Sequence, residues 1–99
     1  MATLKVDPRG NELRALARAG SWRGRRVLEI GCGDGRLTLR LAGLGAKVEA
    51  IDPDVQLVRA ARQALPARFS TRVRYRVGSV NPLPFRDRTF ERVVFAWSL

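Results

Sequence analysis

The chain has 99 residues, of which 45 % are hydrophobic and 28 % are charged, and its formal net charge is +10. This length and composition predict one small folded domain and exclude a disordered tail, because disordered chains contain too few apolar residues to form a core. No apolar run approaches the roughly 20 residues of a membrane-spanning helix, and the absence of histidine excludes His-based triads and imidazole metal ligands.

The N-terminal segment and the cysteine content favour a cytoplasmic protein. Residues 1–8 contain no basic stretch followed by an apolar one, so no secretory signal is predicted. Cys32 is the single cysteine of the chain and has no partner for an intramolecular disulfide, which fits a reducing compartment. With one cysteine and scattered carboxylates, the sequence shows no spacing typical of a zinc site, and no metal is predicted.

The predicted elements alternate in type along the chain. Asp7-Pro8 predicts a helix start, because aspartate caps helices and proline suits the first helical position, and Gly20 ends this helix. The elements expected after a basic connector are a strand at 26–30, a glycine-rich turn at 31–35, a helix with leucines at offsets of four and three, a strand at 47–52, a helix from Pro53 to Pro66, a strand around 72–77, a proline-containing loop and a strand at 91–96.

This alternation predicts an α/β fold with a doubly wound, Rossmann-like parallel sheet of about four strands and helices on both faces. Within the single domain, residues 1–24 supply the N-terminal helix and the connector, and residues 25–99 supply the sheet. In a sheet of this class, ligands bind at the carboxyl ends of the strands, near the point where the strand order reverses. The glycine-rich turn is expected at such an end.

Three glycines at alternate positions, Gly31, Gly33 and Gly35, lie between a predicted strand and a predicted helix. Without side chains the backbone can turn tightly and approach a ligand closely, and the N–H groups at the start of the helix favour an anionic group. A phosphate loop is excluded, because no Gly-Lys-Ser/Thr follows. The dinucleotide fingerprint is also excluded, because Arg36 or Thr38 stands where its third glycine is required.

Asp52 ends the second predicted strand, about twenty residues after Gly31. At this position a carboxylate can accept two hydrogen bonds from a ribose diol. The alternative role is to cap the helix that begins at Pro53. The combination with the glycine-rich turn favours the ribose role.

Three motifs in order resemble a known family. The motif Glu-x-Gly-x-Gly-x-Gly at positions 29–35 resembles the first motif of class I S-adenosylmethionine-dependent methyltransferases, and Asp52 resembles the acid that ends their second strand. The stretch 78–94, in which Leu-Pro-Phe precedes Phe-Glu-Arg-Val-Val, is similar to the segment that leads into their fourth strand. The resemblance covers residues 26–99 and is greatest to the small-molecule, methyltransferase type 11-like branch, which includes quinone-pathway enzymes.

The resemblance implies S-adenosylmethionine as the cofactor and S-adenosylhomocysteine as its product. By position, the backbone of Gly31, Cys32 and Gly33 would bracket the methionine part of the cofactor. Glu29 would fix the turn or reach the amino group through water, and Asp52 would take the ribose hydroxyls. No metal is required, because a sulfonium methyl is already activated and its transfer needs chiefly in-line placement and exclusion of water.

The adenine side of the implied site involves residues that follow the second and third strands. Pro53 would lie against the adenine ring, with Ser79 and Val80 at its edge, and the family often has aspartate where this chain has Ser79. A hydroxyl makes a weaker contact with an adenine amino group than a carboxylate does. Gly35 and Ala96 complete the implied cofactor-binding set, and no catalytic residue is identified.

The resemblance therefore implies a methyltransferase domain that acts on a small-molecule acceptor. Two alternatives remain open. One is a non-catalytic module that binds S-adenosylmethionine or serves in assembly, and the other is an RNA-binding methyltransferase-like protein.

The last predicted strand raises a separate question, because the family's domain continues beyond its fourth strand with three more strands. The segment from Glu91 to Trp97 carries the apolar residues Val93, Val94, Phe95 and Trp97, and if it lies at an edge of the sheet its unpaired backbone favours association. Two explanations remain open. Either this strand forms a homodimer or pairs with a partner chain that supplies the other half, or the sequence is truncated after the fourth strand.

Arginines alternate with apolar residues on the third predicted strand, at positions 72, 74 and 76. The favoured interpretation is that they guard the opposite edge of the sheet against strand pairing. The alternative is a clamp for a nucleic-acid backbone, with a second basic patch at Arg23, Arg25 and Arg26. No aromatic residues interleave with these arginines to support base stacking.

Overall fold

The computed structural model describes residues 2–6, 20–79 and 90–96. Within these ranges the strands are β1 (Ala2–Val6), β2 (Arg26–Ile30), β3 (Lys47–Asp52), β4 (Val73–Val77) and β5 (Arg92–Ala96), and the helices are α1 (Arg36–Gly43), α2 (Val55–Ala64) and a 3₁₀ helix (Ala67–Phe69). The strands form one sheet in the spatial order β1-β5-β2-β3-β4, and every neighbouring pair is parallel. The predicted α/β class with a parallel sheet is confirmed.

The connections between strands explain where the described helices lie. The β2–α1–β3 and β3–α2–β4 connections each move by one strand in the same direction across the sheet. Because crossovers between parallel strands are right-handed, both helices pack on the same face. The chain then returns to the other side of β2 to form β5, so the strand order reverses between β2 and β5. This reversal marks the expected position of a ligand site.

The two faces of the sheet bury different apolar clusters. On the helix-covered face, Val27, Val48 and Val94 pack with Leu41 of α1 and Val58 of α2. The opposite face buries a smaller cluster, which consists of Leu28, Ile30, Ile51, Phe90 and Val93. The helix predicted from residue 7 onward lies outside the described residues. The two described α-helices, α1 and α2, cover one face of the sheet.

The expectation that the strand beginning near Glu91 lies at an edge is wrong. Strand β5 pairs with β2 on one side and with β1 on the other, where Ala2 to Val6 run in register with Arg92 to Ala96. The sheet therefore has one more strand than predicted, and β5 offers no free edge for a second copy or a partner chain. The physical reason is that an extended segment elsewhere in the chain satisfies the backbone groups that β5 would otherwise expose.

The described helices are short, with 8 residues in α1 and 10 in α2. A membrane-spanning helix needs roughly 20 residues. Among the described residues, no helix is long and apolar enough to cross a bilayer.

Helix α2 begins with a side-chain cap. The Asp54 carboxylate accepts hydrogen bonds from the backbone N–H groups of Gln56, at 2.9 Å, and Leu57, at 3.2 Å. We expect Asp54→Ala to lower the free energy of unfolding by about 1 kcal/mol, because these two N–H groups lose their acceptor. Urea denaturation measures the loss. Asp54→Asn retains an acceptor and is the matched control, and equal losses for the two variants would contradict the capping role.

Candidate functional site

The predicted glycine-rich turn lies at the carboxyl ends of the strands, where β2 leads into α1. Its three glycines have positive φ angles, of 81° at Gly31, 56° at Gly33 and 90° at Gly35. These angles are in the region that L side chains rarely adopt, so the turn depends on residues without a Cβ. The turn borders the point between β2 and β5 at which the strand order reverses.

Backbone hydrogen bonds fasten this turn to the rest of the protein. The N–H groups of Gly31 and Cys32 both donate to the carbonyl oxygen of Ile51, at 2.8 and 3.0 Å, and Gly35 donates to the carbonyl of Cys32 at 3.0 Å. Gly33 donates to the Asp52 side chain at 2.9 Å. Four of the five turn residues therefore use their N–H groups within the protein. The N–H groups at the start of α1, on which the sequence-based expectation of an anion rests, are separate from these four, and that of Arg36 donates to the Asp34 side chain at 3.2 Å.

The three glycines are needed for different reasons. A Cβ at Gly35 would overlap the Tyr75 hydroxyl and lie 3.1 Å from its ring carbon Cζ, and a Cβ at Gly31 would lie 3.3 Å from the Ala96 carbonyl oxygen. A Cβ at Gly33 would meet no atom within 4 Å. The outer glycines let β4 and β5 approach the turn closely, whereas Gly33 presents bare backbone to open space.

The Asp52 carboxylate joins the turn to the end of β3. It is 6 % exposed, and its Oδ2 accepts from the Gly33 N–H while its Oδ1 accepts from the Asp54 N–H at 2.8 Å. A carboxylate offers about four acceptor positions, so two remain for further donors. The alternative role of Asp52 as the helix cap is wrong, because Asp54 is the N-cap of α2.

Glu29 lies beneath the turn and is fully buried, on the face of β2 that packs against α1. Its Oε1 accepts a hydrogen bond from the Thr38 hydroxyl of α1, and its Oε2 has no hydrogen-bond partner among the described residues. Burial raises the pKa of the Glu29 carboxyl to about 8, the Thr38 bond opposes this shift, and repulsion from Asp52 adds to it. Near neutral pH the carboxyl is therefore largely protonated.

Two further side chains of the turn region are buried and neutral. Cys32 is 5 % exposed, and burial together with the negative charges of Glu29 and Asp52 raises the pKa of its thiol to about 12. Burial likewise raises the pKa of Tyr75 to about 12, against the effect of a hydrogen bond with Thr38. A protonated thiol is a poor nucleophile, so Cys32 acts here as a small packing residue.

Thr38 and Tyr75 support the turn from below, although no sequence motif marks either of them as a site residue. Thr38 lies at the third position of α1, where its hydroxyl reaches back to β2, and Tyr75 lies on the helix-covered face of β4. The alternation of residues on β4 places Tyr75 on that face together with Val73. Its contact with Gly35 has no local sequence signal, because the two residues are 40 positions apart.

The other predicted site residues lie at the same edge of the sheet. Pro53 and Ser79 are exposed and follow the ends of β3 and β4, and the Gly78 N–H donates to the Asp52 carbonyl at 3.0 Å. Ala96 is half-buried, with its carbonyl facing Gly31. Val80 lies outside the described residues. In the described part of the chain, no three His, Cys, Asp or Glu side chains come together as a metal site.

Comparisons with known proteins agree with this architecture. Residues 27–99 match the family described as a methyltransferase domain. The chain is 35 % identical over 72 residues to an uncharacterized methyltransferase of Mycobacterium tuberculosis, covering 73 % of this chain and 28 % of that protein. It is 49 % identical over 61 residues to the ubiquinone biosynthesis O-methyltransferase of Xanthomonas campestris, covering 61 % of this chain and 25 % of that protein. The chain thus spans about a quarter of the length of these relatives.

A solved structure shows the same fold. The S-adenosylmethionine-dependent methyltransferase from Mesorhizobium loti superposes with a TM-score of 0.77, over 90 % of this chain and 40 % of that one. The two sequences are 22 % identical, so this similarity concerns the fold alone.

Proposed function

The chain belongs to the methyltransferase domain family, and on that premise we propose that it forms the S-adenosylmethionine-binding half of a methyltransferase that acts on a small-molecule acceptor. It covers 25 % of the ubiquinone biosynthesis O-methyltransferase that it matches at 49 % identity. The acceptor is therefore proposed for the whole protein. The name of that relative favours a small molecule that is methylated on oxygen.

The observation that carries the proposal is the hydrogen bond from the Gly33 N–H to the Asp52 carboxylate, at 2.9 Å. This bond places an acid with two remaining acceptor positions beside the turn glycine that faces open space. Four N–H groups of the turn are used within the protein, so the turn itself offers few donors to a phosphate. The Asp52 carboxylate and bare backbone suit a ligand that carries positive charge and hydroxyl donors.

S-Adenosylmethionine has both features, a cationic sulfonium with an activated methyl group and a ribose diol. Asp52 would accept hydrogen bonds from the two ribose hydroxyls, each contributing about 1.5–3 kcal/mol because the acceptor is charged. Pro53 and Ser79 would border the adenine, and the backbone at Gly31 and Gly33 would lie along the methionine part. Glu29 would act as a positioning residue, because its bond with Thr38 ties the strand below the turn to α1.

The test is cofactor binding to Asp52→Ala, measured by isothermal titration calorimetry with S-adenosylmethionine and S-adenosylhomocysteine. We expect the variant to lose affinity by at least about tenfold, since one charge-assisted bond is worth roughly 1.5–3 kcal/mol. Asp54→Ala is the matched control, because it removes a nearby carboxylate that caps α2, and its affinity is expected to stay within about twofold.

Thermal denaturation of each variant separates loss of the site from loss of the fold, since Asp52 also fastens the turn. The proposal fails if the chain binds neither ligand, or if folded Asp52→Ala binds as tightly as the original chain. If the whole protein binds S-adenosylmethionine but transfers its methyl group to no acceptor, the result favours a non-catalytic module.

A further inference from the structure

A cavity of about 350 Å³ opens on the sheet face opposite α1 and α2, away from the glycine-rich turn. It extends along the outer strand β4 and across the first residues of β2 and β3. Its charged lining residues come from three strands and from the segment before β4, and they are Arg26, Lys47, Glu49, Arg72, Arg74 and Arg76.

The lining has a large excess of positive charge. Five of these side chains are cationic and one is a carboxylate, that of Glu49, whose Oε2 lies 3.8 Å from Nε of Arg76. Nε of Arg26 lies 3.7 Å from Oε1 of Glu91, a residue that does not line the cavity. Counted over the described residues, the five cations exceed these two carboxylates by three, and the guanidinium of one of the five, Arg72, donates to the Ala42 carbonyl of α1 at 3.4 Å. A concave surface lined by one sign of charge concentrates ions of the opposite sign.

Edge protection explains only part of this arrangement. Strand β4 is the outermost strand on its side of the sheet, so Arg72, Arg74 and Arg76 can prevent a further strand from pairing there. Arg26 and Lys47 belong to the inner strands β2 and β3, yet they line the same cavity. Charges on inner strands protect no edge, so edge protection does not account for their convergence with the arginines of β4.

The geometry of the arginines suits phosphate groups. Arg74 and Arg76 are two residues apart on one face of β4, so their Cα atoms are about 7 Å apart and one anion between them can contact both guanidinium groups. The planar guanidinium fork matches phosphate oxygens in a bidentate manner. The cavity volume of about 350 Å³ is in the range of small-molecule sites, which is about 300–1,000 Å³.

We propose that this cavity binds a small polyphosphate ligand, either free or as part of a nucleotide. An extended nucleic acid fits less well, because the second basic patch is partly neutralised, with Arg25 bonded to Glu91 at 2.8 Å. The site lies apart from the glycine-rich turn and does not depend on methyl transfer. S-Adenosylmethionine binding therefore reports separately on the proposed function.

The experiment titrates the chain with tripolyphosphate and with ATP at about 0.15 M salt, where weak surface attraction is largely screened. We expect saturable binding and a loss of at least about tenfold for Arg74→Ala/Arg76→Ala. Arg40→Ala/Arg59→Ala removes the same charge from exposed positions on α1 and α2 and is expected to change affinity by less than about twofold. Retained circular dichroism confirms that each variant folds.

A variant that removes a negative charge from the cavity lining provides a second test. Glu49→Gln removes the carboxylate from the lining and is expected to raise the affinity several-fold. Asp54→Asn makes the same charge change at the cap of α2 and should leave the affinity unchanged. The proposal is overturned if the original chain shows no saturable binding, if both arginine pairs lose affinity equally, or if a single-stranded RNA binds while tripolyphosphate and ATP do not.

Discussion

We expect Gly35→Ala to lower the free energy of unfolding by about 2–5 kcal/mol, a large part of the stability of a small domain. Two costs add. A non-glycine residue at a φ of 90° is strained by about 1–2 kcal/mol, and the new Cβ would overlap the hydroxyl of Tyr75. Tyr75 is 5 % exposed and packed in the core, so it has little room to move. Urea denaturation followed by circular dichroism measures the loss.

Gly33→Ala is the matched control for this prediction. Gly33 also has a positive φ, of 56°, but a Cβ there meets no atom within 4 Å, so only the backbone strain of about 1–2 kcal/mol is expected. Adding Tyr75→Phe to Gly35→Ala removes the overlapping hydroxyl and should recover part of the loss. Equal destabilisation by Gly35→Ala and Gly33→Ala would show that Tyr75 does not restrict this position.

The free energy of unfolding is expected to fall as the pH rises from 5 to 8, by up to roughly 4 kcal/mol. Burial raises the pKa of Glu29 to about 8 in the folded chain, from 4.5 in an exposed carboxyl. Between these values the folded state holds a proton that the unfolded state has released, so unfolding becomes more favourable with each pH unit. The stabilisation is fully present below about pH 4.5 and is lost as the pH rises through 8.

Glu29→Gln isolates this effect, because glutamine has a similar shape, can accept the Thr38 bond and does not titrate. Urea denaturation at pH 5, 6, 7 and 8 should show that the variant loses the pH dependence of the original chain. Glu91→Gln is the control, since Glu91 is half-buried and hydrogen bonds from Arg25 and Arg26 lower its pKa, away from this pH range. A stability difference between Glu29→Gln and the original chain that stays constant from pH 5 to 8 would contradict a buried, protonated Glu29.

Much of the fold could be predicted because the relevant signals are local. Glycines at alternate positions after a strand favour a tight turn, and the alternation of Val73 and Tyr75 with arginines marks a half-buried strand. Once the strands are parallel, their carboxyl ends lie at one edge, so Asp52 and the glycine-rich turn had to be close. Their direct hydrogen bond is the consequence.

Strand β1 was missed, although Ala2, Leu4 and Val6 alternate with Thr3 and Lys5 and Asp7-Pro8 marks the end of the segment. Over five residues this alternation is a weak signal, and nothing local indicates which strand the segment pairs with. The segment becomes a strand because β5, about ninety residues later, offers it a row of backbone partners. The error about the edge of the sheet follows from this missing long-range partner.

The side-chain environment of the candidate site could not be predicted from the sequence either. The motif identifies Glu29 as part of the turn region, but only packing against α1 shows that it is fully buried and holds a proton near neutral pH. In the same way, Arg26 and Lys47 lie far along the chain from the arginines of β4, and only the order of the strands brings them to one cavity.

The amino-acid sequence alone determines the α/β class, the order of most of the elements and the family resemblance. These properties depend on residues that lie within one turn or one strand of each other. Its tertiary structure decides which edge is covered, which N–H groups of the turn remain available, how strongly Glu29 holds its proton and where positive charge converges. These properties depend on contacts between residues far apart in the chain and on exclusion of water, and neither is encoded in any single segment.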